Sequence, residues 1–507
     1  MDGRTERVSR GAHRRGPVPV PVPCLYFRMS IRHYHLIGIG GTAMASLAGL
    51  LQSAGHRVTG SDEGVYAPMS DLLRGHGIAY TEGYAPSNLD PRPDIVVVGN
   101  AISRGNPELE HLLNAKIPYA SAAVTIKEEF LRGRHSLAVA GTHGKTTTTS
   151  LLAWILEVAG FSPSFLVGGV AENFGTSFRL TASPWFVIEA DEYDTAYFDK
   201  GPKMWHYLPD TAVVTNVEYD HADIYRDDTS YHFAFARFIN LIPSQGTLVA
   251  GWDSPVVREL AARSFAPVES FAFAGDESAP ATTPDPPARW TAVDVAFAAD
   301  STSFTILHGG APWGRVETPL PGAFNVRNVL AAVAAAHAVQ ADPALVREAL
   351  RTFRSVRRRM EVRGTVGGVT VIDDFAHHPT AVRETVRAAR QRYPGRRLVA
   401  VFEPRSYTAQ RREFQQPYTE ALAEADEIVI AGLFHPERYT ADSAIDPHVM
   451  VAAWRAAGRP AAYIAEAASI ARTLGASAAS GDVILIMSNG GFGGVHEKLL
   501  DVLRARA

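Results

Sequence analysis

An α/β fold in three domains is what this 507-residue chain predicts, and three observations carry the prediction. Short apolar runs alternate with helical periodicity from Ile31 to the C-terminus, the pattern of parallel sheets covered by helices. Glycine-rich turns follow an apolar run at residues 38–41, 141–144 and 490–494, where doubly wound sheets receive ligands. The length matches about three domains of ordinary size. The expected division is a Rossmann-like domain over 29–133, a central domain with a phosphate loop over 134–354, and a second Rossmann-like domain over 355–507.

Composition narrows the class. Apolar residues make up 46% of the chain, enough for several cores, yet no run approaches the roughly 20 apolar residues of a membrane span. The net charge of −4 comes without a dense basic stripe, which argues against nucleic acid as a partner. Cys24 is the sole cysteine, so the chain has neither a disulfide framework nor a thiolate metal site. A monomer in a reducing cytoplasm is expected.

Residues 1–28 differ from the rest: an Arg-rich stretch, then G-P-V-P-V-P-V-P. Alternate prolines deny it the helical apolar core of a signal peptide. It reads either as a disordered tail or as a stretch upstream of a start at Met29. The strand pattern that opens two residues after Met29 favours the second.

From Ile31 the expected order is a strand His33–Ile39, a helix Thr42–Ala54, a strand Arg57–Thr59 running into Gly60-Ser61-Asp62, and a strand Asp94–Val98. The turn Gly38-Ile39-Gly40-Gly41-Thr42 would offer the N–H groups of a helix N-terminus to a diphosphate. Asp62 stands where dinucleotide folds place a ribose-binding acid. Alone, this turn would point to a dehydrogenase, but a dehydrogenase has no use for the second phosphate loop that follows.

That loop is Gly141-Thr142-His143-Gly144-Lys145-Thr146-Thr147, between an apolar strand and a helix over about 147–159. Its glycines let backbone N–H groups face phosphate oxygens, Lys145 can reach the β- and γ-phosphates, and the Thr146 hydroxyl can ligate Mg²⁺. The loop is tighter than the usual Walker motif, because the position five before Gly144 is Val139. A nucleoside triphosphate is the expected ligand and a P-loop ATPase-like domain its frame. Lys145 is expected to act on phosphates without a role in the core.

Two further strands end in acids. Pro184–Ile188 runs into Glu189-Ala190-Asp191-Glu192-Tyr193-Asp194, and Thr211–Thr215 into Asn216-Val217-Glu218-Tyr219-Asp220-His221-Ala222-Asp223. Glu189 and His221, each at a strand exit near the phosphate loop, suit Mg²⁺ bridging ATP-type phosphates. Glu192, Asp194, Glu218 and Asp223 stay open between ligands and solvated loop acids.

Residues 277–300 read as a weakly structured surface excursion before a hairpin at Phe304–Arg315. Asn325 and Asn328 then share one face at the start of an Ala-rich helix, where their amides could read an adenine edge; capping is the alternative for Asn325. After Arg357-Arg358-Arg359, a strand pair ends at Asp373-Asp374. Further strands run Leu398–Phe402 into Glu403-Pro404-Arg405-Ser406, then Glu427–Ala431, then Val483–Met487 into Ser488-Asn489-Gly490. Their polar residues again lie at strand exits, so this domain should face the central one across a cleft.

In chain order the strings G-x-G-G-T-x-M, G-T-H-G-K-T-T, E-A-D-E-x-D, N-x-E-x-D-H-x-D, R-R-x-E and D-D-x-x-H-H-P resemble the Mur ligases, ATP-dependent amide-forming enzymes of peptidoglycan assembly. The resemblance runs from Ile31 to the C-terminus. Within the family, the strings at 99–107, 403–406 and 488–496 are similar to the branch that joins UDP-N-acetylmuramate to the tripeptide L-alanyl-γ-D-glutamyl-meso-diaminopimelate during cell-wall recycling. The N-terminal turn is equally similar to the branch that adds L-alanine. The resemblance implies ATP and Mg²⁺, with Lys145, Glu189 and His221 catalytic and Thr146, Glu189 and His221 at the metal. It implies ATP contacts from Gly141 through Thr147 and from Asn325, Asn328, Arg359 and Asp374. It further implies a UDP-sugar site at Gly38, Gly40, Gly41, Thr42 and Asp62, and a peptide site at Arg405, Ser488, Asn489 and Gly490.

Two departures stand out. Phe324 occupies the place of a family histidine before Asn325, which removes one polar contact. No lysine occurs from Met204 through Glu497, so the carbamylated lysine of some Mur ligases has no counterpart, as in the alanine-adding branch.

Overall fold

A computed structural model describes residues 31–66, 69–273, 286–440 and 442–506. The expectations for residues 1–28 and for a start at Met29 lie outside the described residues. Among the described residues no helix is long and apolar enough to cross a membrane.

The first sheet is parallel throughout, in the order Ala79–Glu82, Arg57–Asp62, His33–Ile37, Ile95–Val98, Tyr119–Ser121. His33–Ile37 is central, with Tyr34, Leu36 and Ile37 buried on both faces, as a doubly covered strand requires. It stops two residues earlier than expected, because Gly38 turns to φ +83° and the helix Thr42–Ser53 begins. The second strand instead continues through Gly60-Ser61-Asp62 and carries Asp62 to the sheet edge.

The central sheet has ten strands. Its parallel core runs Val268–Ala272, Thr247–Gly251, Pro209–Val214, His135–Ala140, Trp185–Glu189 and Ser164–Ala171, with Thr176–Arg179 antiparallel on one edge. The other edge carries Trp290–Phe297, Thr302–His308 and Ala311–Thr318. The expected hairpin is the last pair, turning at Gly309-Gly310, both with positive φ. Trp290–Phe297, within the stretch expected to be weakly structured, is a full strand. Its alternation buries Trp290, which stacks on His308 at 4.0 Å between ring centres; residues 274–285 lie outside the described residues.

Two helices cover the phosphate-loop strand. Lys145–Val158 starts two residues before the expected Thr147, directly after left-handed Gly144. The Ala-rich helix Ala323–Ala338 is buried over Ala331–Ala336, where small side chains let it lie close against its neighbours. The last sheet runs Glu361–Val366, Val369–Asp374, Val483–Met487, Leu398–Phe402, Glu427–Ile430, Ala461–Tyr463, with only the first strand antiparallel.

Candidate active site

Adjacency of three parallel strands assembles the centre. His135–Ala140 lies between Trp185–Glu189 and Pro209–Val214, in a register that pairs Val139 with Glu189 and Ala140 with Val214. The phosphate loop and both acidic segments therefore leave the sheet side by side at its C-terminal edge.

Glycine is required at both ends of the loop. Gly141 has φ +132° and a Cβ there would meet Thr215 Oγ1 at 2.0 Å; Gly144 has φ +83° and a Cβ would meet Asn328 Oδ1 at 2.4 Å. Thr215 Oγ1 donates to the His143 carbonyl at 2.6 Å, and the His143 N–H donates to Asn216 Oδ1 at 2.9 Å. The Thr142 hydroxyl is held by Glu218 and Tyr231, so it braces the loop rather than facing a ligand. Thr147 is buried in the first helical turn.

Lys145 is folded back onto its loop, its ammonium donating to the Gly141 carbonyl at 2.6 Å and to Glu192 Oε1 at 2.8 Å. The Lys145 side chain is 13% exposed and Glu192 0%. Burial would lower the lysine, but Glu192 and Asp191 outweigh it and hold the ammonium above its ordinary value. His221 Nε2 lies 3.0 Å from the same Oε1. Burial would lower this imidazole too; Asp220, with Glu192, raises it instead. Asp191 is resisted by burial but brought down to about 2 by Lys203 and Lys145. Glu192, which sequence left open, is thus the hub of the site. Its place in an irregular loop gives no periodic signal that would separate it from Asp191 or Asp194.

The Thr146 hydroxyl donates to Glu189 Oε1 at 2.9 Å, and the Gly168 N–H donates to Glu189 Oε2 at 2.7 Å. Burial raises the Glu189 carboxyl above its usual range. A hydroxyl and a desolvated carboxylate are hard oxygen donors, and the pair fits Mg²⁺. His221 faces Glu192 rather than this pair, so the three predicted metal residues divide into two groups linked through Lys145.

The C-terminal domain reaches in with one predicted residue and not the other. Arg359 Nη2 lies 3.1 Å from Thr146 Oγ1. Asp374 spends its oxygens on the N–H groups of Met360 and Ala376, both at 2.8 Å, so it positions the Arg359 segment. Asn328 lines a pocket with Gly144, Asn216, Phe271, Phe324 and Arg383. Asn325 lies behind it, donating to the Pro321 carbonyl and accepting from the Asn328 amide at 3.0 Å.

At the seam, His143 Nε2 is 3.4 Å from Glu218 Oε2 and His378 Nδ1 is 3.7 Å from the same oxygen. Burial, then His143, pushes the His378 imidazole down to about 4. Sequence reading passed over His143 and His378 as a pair because they belong to different domains.

The remaining predicted residues form two groups. Asp62 Oδ2 accepts from the Gly40 N–H at 2.8 Å, and the Gly38 N–H donates to the Ser61 carbonyl; Gly41 caps the helix that Thr42 begins. In the last sheet, Asp374, Met487 and Phe402 are in register, so Ser488 and Glu403 exit together. Ser488 donates to Glu403, the Gly490 N–H donates to Ser488 Oγ, and Arg405 lies 3.7 Å over the Phe434 ring. Asn489 Oδ1 is buried with no hydrogen-bond partner among the described residues.

Three family models match in order: Mur ligase family, catalytic domain, over 33–130; Mur ligase middle domain over 139–336; and Mur ligase, glutamate ligase domain, over 358–490. The UDP-N-acetylmuramate–L-alanyl-γ-D-glutamyl-meso-2,6-diaminoheptandioate ligase of Escherichia coli strain K12 is 40% identical across 93% of this chain and 98% of its own length. A UDP-N-acetylmuramate–L-alanine ligase of Variovorax paradoxus is 34% identical across 94% of this chain and 96% of its own. The crystal structure of a murein peptide ligase from Psychrobacter arcticus superposes with a TM-score of 0.69 at 34% identity, covering 93% of this chain and 99% of that one. On these matches and this geometry, the chain belongs to the Mur ligase family.

Proposed function

We propose that this enzyme joins UDP-N-acetylmuramate to L-alanyl-γ-D-glutamyl-meso-diaminopimelate, with ATP and Mg²⁺, as a cytoplasmic step of peptidoglycan recycling. The observation that carries the chemistry is the Lys145–Glu192–His221 chain beside Thr146–Glu189, with Arg359 arriving from another domain. In the first step the lactyl carboxylate attacks the γ-phosphorus of ATP, an anion approaching an anion. Lys145, kept charged by Glu192, and Arg359 offset that repulsion and stabilise the transferring phosphoryl group. Mg²⁺ at Thr146 and Glu189 would supply further charge neutralisation on the phosphates. The products are ADP and an acyl phosphate. The α-amine of the peptide then attacks the acyl carbon, and phosphate leaves from a tetrahedral intermediate. Closure of the C-terminal domain over the loop keeps water from the acyl phosphate.

The choice of tripeptide over free L-alanine is supported by the nearer relatives and by the acceptor side of the cleft. Arg405 offers a guanidinium to a peptide with several carboxylates, and the unpartnered Asn489 Oδ1 offers an acceptor to its N–H groups. The test is ADP release with UDP-N-acetylmuramate and ATP, comparing the two acceptors. The tripeptide should give the larger kcat/KM. A larger value for L-alanine would assign the chain to the alanine-adding reaction.

A further inference from the structure

We propose that His143, Glu218 and His378 form a binding site for a divalent ion of the Zn²⁺ class, bridging the central and C-terminal domains and separate from the Thr146–Glu189 pair. One donor atom from each of His143, Glu218 and His378 lies within 4.8 Å of the other two, and Glu218 Oε2 is 3.4 Å from His143 Nε2 and 3.7 Å from His378 Nδ1. Ligands about 2.0–2.1 Å from a tetrahedral Zn²⁺ stand roughly 3.4 Å apart, so only small side-chain shifts close the set around an ion. Two imidazoles and one carboxylate are a recurrent Zn²⁺ donor set that leaves a fourth position open, whereas Mg²⁺ takes oxygen donors.

A second observation is independent of the spacing. His378 is 7% exposed, and its Nδ1 is buried with no hydrogen-bond partner among the described residues. This atom points at a carboxylate yet stops short of a hydrogen bond to it. Asp220 lies close enough to act electrostatically on His378, so a cation here would meet a second negative charge. Glu218, 39% exposed along its side chain, leaves an entry path.

The placement dictates the effect. His143 sits inside the phosphate loop, and both it and Glu218 line the nucleotide pocket, while His378 caps the helix Pro379–Arg392 of the C-terminal domain. An ion held by all three pins that domain to the loop and competes with nucleotide entry. It would act as an inhibitory latch.

The test uses the full chain, stripped with EDTA, and reads binding rather than turnover. Zn²⁺ titrated against a chromophoric chelator should bind with one tight site that millimolar Mg²⁺ does not displace, and ATP should weaken it. Co²⁺ should give the intense visible bands of a four-coordinate ion. His378→Asn and Glu218→Gln should each weaken Zn²⁺ at least about tenfold, since losing even an outer-shell partner costs 10–100-fold. Their melting curves in EDTA verify folding, and the Co²⁺ spectrum of the unmodified chain stands without them. Undiminished Zn²⁺ affinity in both folded variants, displacement by Mg²⁺, or a pale octahedral Co²⁺ spectrum would overturn the proposal. None of these outcomes bears on the ligase reading.

Discussion

The phosphate loop and the glycine loop after Met487 are built alike, each a strand exit turning on glycine, yet they are finished differently. Around Lys145 the charges are matched inside the fold: the ammonium meets Glu192, Glu192 meets His221, and Thr146 meets Glu189. Around Gly490 the matching is incomplete. Arg405 rests on an aromatic face with Glu403 3.7 Å away, and Asn489 Oδ1 has no partner among the described residues. The difference fits the ligands proposed for the two loops. A phosphate chain is the same in every turnover, so its cradle can be preassembled and its donors locked before binding. In the proposed reaction the acceptor peptide would bring carboxylates to Arg405 and N–H groups to the unpartnered Asn489 Oδ1.

Breaking the preassembled side should have the largest effect. Lys145→Ala is expected to lower turnover by at least about 10²–10³-fold, the scale of one lost electrostatic clamp. The structure also corrects the expectation that this lysine has no core role. Glu192 is fully buried, and deleting its partner should cost about 3–5 kcal/mol of stability. Adding Glu192→Gln should recover much of the melting temperature but none of the activity. Recovery of both would mean that Lys145 serves only the fold.

The seam between the regions gives the next effect, read as melting temperature against pH in EDTA. His378 titrates at about 4 in the fold and near 6.5 when unfolded, so the unfolded chain binds more protons between those values. Its contribution, roughly 3 kcal/mol, is present in full above pH 6.5, is lost as the pH falls towards 4, and levels off below. His378→Asn should flatten that part of the profile. An unaltered slope would show that the imidazole is not held neutral by its surroundings.

On the open side, Arg405→Ala should cut kcat/KM for the tripeptide by about 10–100-fold, matching the loss of a charge-assisted hydrogen bond of about 1.5–3 kcal/mol. Affinity for UDP-N-acetylmuramate, measured by calorimetry, should not change. A parallel loss for both substrates would place Arg405 among residues that brace the domain. The smallest effect is expected at the first domain. Asp62→Ala removes one acceptor from the Gly40 N–H, at about 1 kcal/mol in UDP-sugar affinity. A loss of tenfold or more would mean that Asp62 also meets the ligand directly.

Much of the α/β plan could be read from residues alone, because alternating apolar runs and glycine turns are local signals. The phosphate loop was legible for the same reason: strand, Gly141, Gly144 and helix are consecutive, and backbone sterics decide their conformation. The strand Trp290–Phe297 was missed despite its alternation, because a neighbouring Pro- and Thr-rich stretch outweighed it. Asp374 looked like a ligand from its motif, but its oxygens serve two backbone N–H groups that only the fold brings near.

By itself the sequence determined which reactive side chains stand near strand exits, since that depends on neighbours a few residues away. Which of those side chains meet was decided by the tertiary structure. Strand order put both Glu189 and Glu192 beside the phosphate loop, and the path of the chain after Glu189 set Glu192 against Lys145 and against His221. Domain packing brought Arg359 to Thr146, and set His378 beside Glu218 and His143. The physical reason is range. A turn is governed by the dihedral preferences of its own residues, whereas a buried charge takes the partner that compensates its desolvation, and that partner can lie anywhere in the chain.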